Sequence, residues 1–401
     1  RGLGDVYKRQ TLADASSGGT WSSGNISVAT VGSSSGIING IAPGTSLVTY
    51  MLPTGCSAAT TVTVNSLPAS ITGSTNICQT FSVTLSDATT GGTWSSSNTS
   101  VAAVGSGSGI VTGVSAGTAR ITYSVGTGCI TTIVVTVNSL PSGITGASAV
   151  CQGMSIVLSS TSPGGSWSSS NSAVAIVSTG SGIVTGVASG TVVITYMIPS
   201  GCITTKLLTV NISPATITGT ASICQSYTTT LSNTTPGGTW SSSNTSVALI
   251  GSATGIASGL ASGTSIIFYT LSTGCAASLA LTVNTLPSAI GGTVSGCTGS
   301  TVTLSDGVAG GTWVSGNTAV ATIGSSTGIV TGIIPGTSII TYTLGTGCFA
   351  SRTITINMSP AAISGSPALC VGGAAILTNT TSGGTWSSSN IAVAGIGSAS
   401  G

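Results

Sequence analysis

The sequence has almost no charge. Among 401 residues there are six Lys and Arg, four Asp, no Glu and no His. An ordinary soluble domain is roughly 25% charged, and here the figure is 2%. Catalysis by general acids and bases needs groups that titrate near neutrality, usually His or paired carboxylates, so the chain has no parts for it and is expected to be no enzyme. A basic patch for nucleic acid or anionic lipid is missing as well, since the formal net charge is only +2. Aromatic residues make up 4% of the chain, few for a ligand-binding face. Long apolar runs are absent too. Ser, Thr, Gly or Asn interrupts every Val/Ile cluster before it approaches the ~18 residues of a membrane-spanning helix, so no membrane insertion is expected. Disorder is excluded from the other side, because 40% of the residues are apolar and disorder needs low hydrophobicity.

Four of the ten charges, Arg1, Asp5, Lys8 and Arg9, fall in the first ten residues. The string DVYKRQ within that segment resembles the translation of the transposase end used to build sequencing libraries, and residues 1–10 are set aside from fold reasoning as foreign. Without them three cations (Arg120, Lys206, Arg352) balance three anions (Asp14, Asp87, Asp306).

The rest of the chain is a repeat. Trp21, Trp94, Trp167, Trp240, Trp313 and Trp386 follow one another at a constant step of 73 (94 − 21, 167 − 94 and onward). The ten cysteines keep the same step in two series: Cys56, Cys129, Cys202, Cys275 and Cys348, then Cys78, Cys151, Cys224, Cys297 and Cys370. Projected back one period, the second series reaches Asp5, a further sign that the start is foreign. Proline-bearing joints at 65–68, 138–141, 211–214, 284–287 and 357–360 divide the chain. The expected units are a partial one at 11–65, complete ones at 66–138, 139–211, 212–284 and 285–357, and a partial one at 358–401. Neither partial unit is expected to close a sandwich alone. With the ends inside domains, a missing signal peptide is uninformative about localisation.

Within residues 66–138 the segments FSVTLSD, GTWSSSN, VAAVG, GIVTGV, ARITYSV and CITTIVVTVN alternate apolar with polar residues or run β-branched. Turn chemistry such as GG, GSGSG, SAG and GTG separates them. No stretch holds a helical rhythm. About seven short strands per unit make the expected fold class all-β, a tandem array of Ig-like Greek-key β-sandwiches of 73 residues each. The Trp of the third strand is the expected plug between the sheets.

Asp14, Asp87 and Asp306 each stand seven residues before a Trp, where the other units have Ser160, Asn233 and Asn379. A position that takes Asp, Ser or Asn alike reads as a turn whose side chain bonds nearby amides, with no catalytic role. One carboxylate in alternate units cannot supply the six to eight oxygens of a calcium site, and the Gly-rich turns lack the lysine and helix of a phosphate loop. No cofactor and no metal is expected. Cysteines spaced 22 and 51 apart (78 − 56, 129 − 78) do not form close zinc pairs, so disulfides in an oxidising compartment are the leading reading and buried thiols the second. Two pairings stay open: Cys78 with Cys129 inside a unit, or a ladder between neighbours joining Cys78 to Cys202, Cys151 to Cys275 and Cys224 to Cys348. The sequons at Asn25, Asn98 and Asn244 would matter only in a eukaryotic secretory pathway.

The run from Trp94 to Cys129, WSSSNTSVAAVGSGSGIVTGVSAGTARITYSVGTGC, resembles the bacterial Ig-like group 2 family, marked by W-S-S-x-N-x-x-V-A-x-V, G-x-V-T-G and G-T-x-x-I-T. The motif recurs in every complete unit. The resemblance implies extracellular modules of adhesins, invasin-like and surface-layer proteins. The cysteine pair departs from the family pattern and resembles repeat-rich secreted proteins of Bacteroidetes-type bacteria. The expected function is therefore a non-catalytic stalk of a secreted or cell-surface adhesin-like protein, its main partners the neighbouring repeats. The alternative is a multivalent array that binds surface glycan or host cell-surface protein.

Overall fold

The computed structural model describes residues 9–366 and 368–399; the chain is all-β, and it divides into two compact units, Arg1–Ile212 and Ser213–Gly401. The repeat at 66–138 sets the pattern. Its strands are β1 (Asn76–Cys78), β2 (Ser82–Thr84), β3 (Thr93–Ser96), β4 (Ala102–Val104), β5 (Ile110–Gly113), β6 (Gly117–Ser124) and β7 (Ile130–Asn138). One sheet has the order β1-β7-β6-β3 and the other β4-β5-β2. Every pair is antiparallel except β1 with β7, where Asn76 to Cys78 run parallel to Thr136 to Asn138.

Period-two alternation decides the faces. In β6, Ala119, Ile121 and Tyr123 turn inward while Thr118, Arg120 and Thr122 turn out. Val135 and Val137 of β7 meet them from the neighbouring strand. Ile77, Leu85, Trp94, Ala102 and Val111 complete one core. In the first unit, residues 139–211 repeat the arrangement strand for strand, around Val150, Leu158, Trp167, Ile194 and Leu208. In the second unit, one core gathers around Trp240 and Leu281 and another around Trp313 and Ile354.

The centre of each sandwich is an aromatic pair. Trp94 and Tyr123 lie side by side on β3 and β6, ring centroids 4.7 Å apart and tilted by 49°. The Tyr123 hydroxyl donates to Thr89 O (2.6 Å) and accepts from Gly92 N (2.9 Å), so it ties the loop before β3 to the core. Position 92 must be glycine, because a Cβ there would stand 2.4 Å from Tyr123 Cζ. Gly109 answers a second demand: it has φ of +67°, and a Cβ would lie 2.4 Å from Leu85 O and about 3 Å from the Trp94 ring. The same pair recurs as Trp21–Tyr50, Trp167–Tyr196, Trp240–Tyr269 and Trp313–Tyr342.

The two partial repeats differ from each other. Residues 9–65 form both sheets: Arg9–Thr11, Ile37–Gly40 and Ala29–Val31 make one, and Thr20–Ser23, Gly44–Met51 and Ser57–Val64 make the other. Arg9 and Gln10, set aside in the sequence, thus pair with Asn39 and Ile38 in the β2 position, through backbone groups alone. Only the β1 equivalent is missing among the described residues; both sheets form, and the core stays partly open, with Trp21, Val62 and Val64 half-buried. Residues 1–8 lie outside the described residues. Among the described residues of 358–399 there is no strand, only the bridge between Ser364 and Thr378. Ile376, Ile391 and Val393 there are 76%, 81% and 82% exposed, as expected of half a sandwich without its other half.

Replacing Tyr123 by Phe keeps the ring contact and orphans Thr89 O and Gly92 N. Tyr123→Phe is expected to destabilise its repeat by about 1–3 kcal/mol, read by denaturant unfolding of the oxidised chain against an unchanged parent.

Candidate functional site

The chemistry of the chain sits at the joints between repeats. Cys78 ends β1, opposite Asn138, the last residue of β7. Cys129 precedes Ile130, the first residue of the same strand. Nine residues at about 3.3 Å each put the two cysteines roughly 30 Å apart, far beyond the ~7 Å between Cα atoms that a disulfide spans. Pairing within the repeat is excluded. Instead, Cys78 is bonded to Cys202 in the first unit, with Cα atoms 5.6 Å apart. Cys202 stands in the turn between the last two strands of the following repeat, where Ile198 N donates to Cys202 O at 3.0 Å. Each such bond crosses a joint. In the second unit Cys224 is bonded to Cys348, with Cα atoms 5.7 Å apart. Cys202 and Cys348 are 0% and 1% exposed. Cys151 and Cys275 are also disulfide-bonded. Free thiols remain at Cys56 and Cys370, both exposed, and at Cys129 and Cys297, both half-buried.

Cross-linking residues 124 apart removes chain entropy from the unfolded state worth about 5 kcal/mol per bond. For a 73-residue sandwich of small side chains that is comparable with the stability of the whole fold. The bond also gives the joint at 138–141 a second covalent tether beside the backbone.

The tryptophans sit where the aromatic pair requires. Trp94, Trp167, Trp240 and Trp313 are buried, whereas Trp21 and Trp386 in the partial repeats are half-buried. At the Asp/Ser/Asn position the side chain caps a turn in every repeat: Asp14, Asp87 and Asp306 accept from Ser16, Thr89 and Val308 N at 2.7–2.8 Å. Ser160, Asn233 and Asn379 accept from Ser162, Thr235 and Thr381 N. The second atom distinguishes them. Asn233 Nδ2 donates to Ala215 O, and Ser160 Oγ donates to Ser142 O. Asp87 and Asp306 have an oxygen at that place, and their Oδ2 atoms are buried without a partner. Among the described residues no group of three or more His, Cys, Asp or Glu could hold a metal ion. A cleft in the second unit, lined by Val283, Asn284, Val308 and Leu344, offers no ionisable group.

The outward face of the larger sheet carries hydroxyl rows. Ser95, Thr122 and Thr132 stand side by side on β3, β6 and β7, and Ser168, Thr195 and Thr205 repeat the row. The row breaks elsewhere, as Ser22–Thr49–Ala59, Ser241–Phe268–Ser278 and Val314–Thr341–Ser351. Exposed aliphatics such as Val134, Leu207 and Ile339 stand between the hydroxyls.

No protein-family model matches the chain. Ice-binding protein 1 of Shewanella frigidimarina (strain NCIMB 400) is 31% identical over 226 residues, 47% of this chain and 25% of that protein. The chain thus spans about a quarter of the length of the curated relative it matches. Among solved structures, the ectodomain of human Desmocollin-1 aligns with 11% identity over 90% of this chain and 96% of that one, at a TM-score of 0.16. Domains 1-6 of the surface layer protein SbsC align with 15% identity over 87% and 64%, at 0.18. The N-terminal eight Ig domains of Down Syndrome Cell Adhesion Molecule align with 11% identity over 85% and 64%, at 0.23. Superpositions this loose carry no argument about function.

Asp87→Asn supplies the missing donor to Ala69 O without changing shape. It is expected to raise stability by about 1 kcal/mol, read as a higher denaturant midpoint at unchanged slope.

Proposed function

We propose that this chain is a non-catalytic spacer from a secreted or cell-surface bacterial protein, built of modules of the bacterial Ig-like group 2 type. The observation that carries the proposal is the disulfide across the joint, Cys78 to Cys202, repeated as Cys224 to Cys348. A binding module needs a surface and has no use for a doubly tethered joint. A spacer needs joints that do not fold back, and two covalent tethers side by side restrict bending. The disulfides also support an oxidising compartment outside the cytosol. The near-neutral coat of Ser, Thr and Asn supports the same reading, since it offers few charged anchors to a passing macromolecule.

Small-angle scattering on the chain with and without reductant tests this. A maximum dimension that is sharp when oxidised and broadens on reduction is expected. A broad distribution in both conditions would remove the spacer reading and favour tethered binding modules.

A second reading follows from the named relative: the hydroxyl rows could order water against ice. Three of the five rows are broken by Ala, Phe or Val, and a lattice-matched face needs regular spacing. Ice recrystallisation is therefore expected to proceed undisturbed by the chain at micromolar concentration; clear inhibition would move the function to this face.

A further inference from the structure

The bond between Cys78 and Cys202 closes a loop of backbone: the two residues are 124 positions apart in sequence, and their Cα atoms are 5.6 Å apart. Cys224 and Cys348 close a second loop of the same separation, 5.7 Å across. Tension on a chain follows the shortest covalent route. A pull applied outside Cys78 and Cys348 therefore crosses from Cys78 to Cys202 through sulfur, follows the backbone to Cys224, and crosses through sulfur again to Cys348. Residues 79–201 and 225–347 hang from this route as closed loops and carry no load. The aromatic pairs of all four complete repeats, from Trp94–Tyr123 to Trp313–Tyr342, lie within those loops.

The loaded backbone has little length to give. From Cys202 to Cys224 it is 22 residues (224 − 202), a contour of at most about 8 nm at ~3.6 Å per residue. Within it Ile203–Asn211 is already extended strand, held in its sheet between Gly190–Met197 and Ala149–Cys151. Load enters at Cys202, at the head of that strand, and runs along its backbone, so the hydrogen bonds on either side are not in series with it. Cys348 stands at the head of Phe349–Asn357 in the same way. Without the two bonds the stretch from Cys78 to Cys348 is 270 residues (348 − 78), a contour of about 97 nm. Cys151 and Cys275 are disulfide-bonded too, and a further cross-link only shortens the route.

We propose that the oxidised chain is a load-bearing tether of fixed length, which tension cannot draw out by unfolding the sandwiches between Cys78 and Cys348. Small sandwiches of modest stability, loaded in series, would give way one after another. Here the disulfides bypass them, so the length of the tether is independent of whether any one repeat is folded. That the chain bears a load at all rests on the spacer reading, because a spacer transmits force between what it joins; the length limit rests on the bond pattern alone.

The test stretches single molecules of the full chain by short peptide tags at its two ends, after the free thiols are alkylated and the bonds Cys78–Cys202 and Cys224–Cys348 are mapped by non-reducing peptide analysis. Dithiothreitol then reduces each bond, giving up two electrons and two protons to leave two cysteine thiols and its own cyclic disulfide. Reduction is expected to add roughly 90 nm to the fully stretched length, in unfolding steps absent from the oxidised trace. The double variant Cys78→Ser, Cys202→Ser, kept oxidised, is expected to stretch roughly 40 nm further than its parent. Tyr123→Phe lies inside a bypassed loop; it is expected to leave the oxidised length unchanged and to lower the force of one step in the reduced chain. An oxidised length close to the reduced one, a double variant no longer than its parent, or cysteines mapped to other partners would each overturn the assignment. Scattering reads bending and stretching reads contour, so the two readings fail separately. A chain that is flexible in scattering yet does not lengthen keeps the fixed tether and loses the spacer, and a stiff chain that lengthens under force does the reverse.

Discussion

Every complete repeat depends on one hydrogen-bonded aromatic pair. A unit of 73 residues made largely of Gly, Ser, Thr and Val has little volume to bury, and small domains are the hardest to stabilise by burial alone. The Trp–Tyr pair concentrates that burial. Trp94 spans the space between the sheets, Tyr123 lies against it, and the tyrosine hydroxyl closes the loop over both. With the loop held, β3 stays in register with β6, and the larger sheet keeps its edge for β1. The glycines at 92 and 109 follow from the same pair, since each leaves room where a methyl group would collide with a ring or with the carbonyl beside it.

The second constraint is topological. Because β1 runs parallel to β7, the cysteine that ends β1 is delivered to the end of the sandwich where the chain leaves for the next repeat. The other cysteine lies in the hairpin turn at the opposite end of its own repeat, which faces the preceding one. A sandwich with this parallel strand therefore cannot use its two cysteines internally and has one at each joint. The bonds Cys78–Cys202 and Cys224–Cys348 are a consequence of strand order, and the stiffness proposed for each bonded pair of repeats is a consequence of those bonds. Repeats that each contact only their neighbours make stability a local sum, with the disulfides linking the terms in pairs.

The sequence and the structure agree most closely where spacing alone carries the information. Steps of 73 between tryptophans announced the array, and alternation in ARITYSV and CITTIVVTVN announced strands with one wet face. The Asp, Ser or Asn before each Trp was legible as a turn cap because all three side chains share an acceptor. That the acid leaves Oδ2 of Asp87 buried and unpartnered was not legible, since it depends on the placement of a backbone carbonyl eighteen residues upstream, as Ala215 is from Asn233. The tyrosine lock could have been read: Tyr50, Tyr123, Tyr196, Tyr269 and Tyr342 keep the same step as the tryptophans, 29 residues behind each (123 − 94). Its role as a loop tie needed the fold, because a hydroxyl's partners are backbone atoms that no residue type reveals.

By itself the sequence determined the period, the all-β class and the existence of two cysteine series, since each of these is a property of composition or spacing along one dimension. It left two disulfide patterns equally open, because both place cysteines at constant separations. Only the tertiary structure decided between them. Pairing depends on which ends of which strands meet in space, and the parallel first strand, set by core packing and backbone hydrogen bonds, brings Cys78 to Cys202 and holds it far from Cys129.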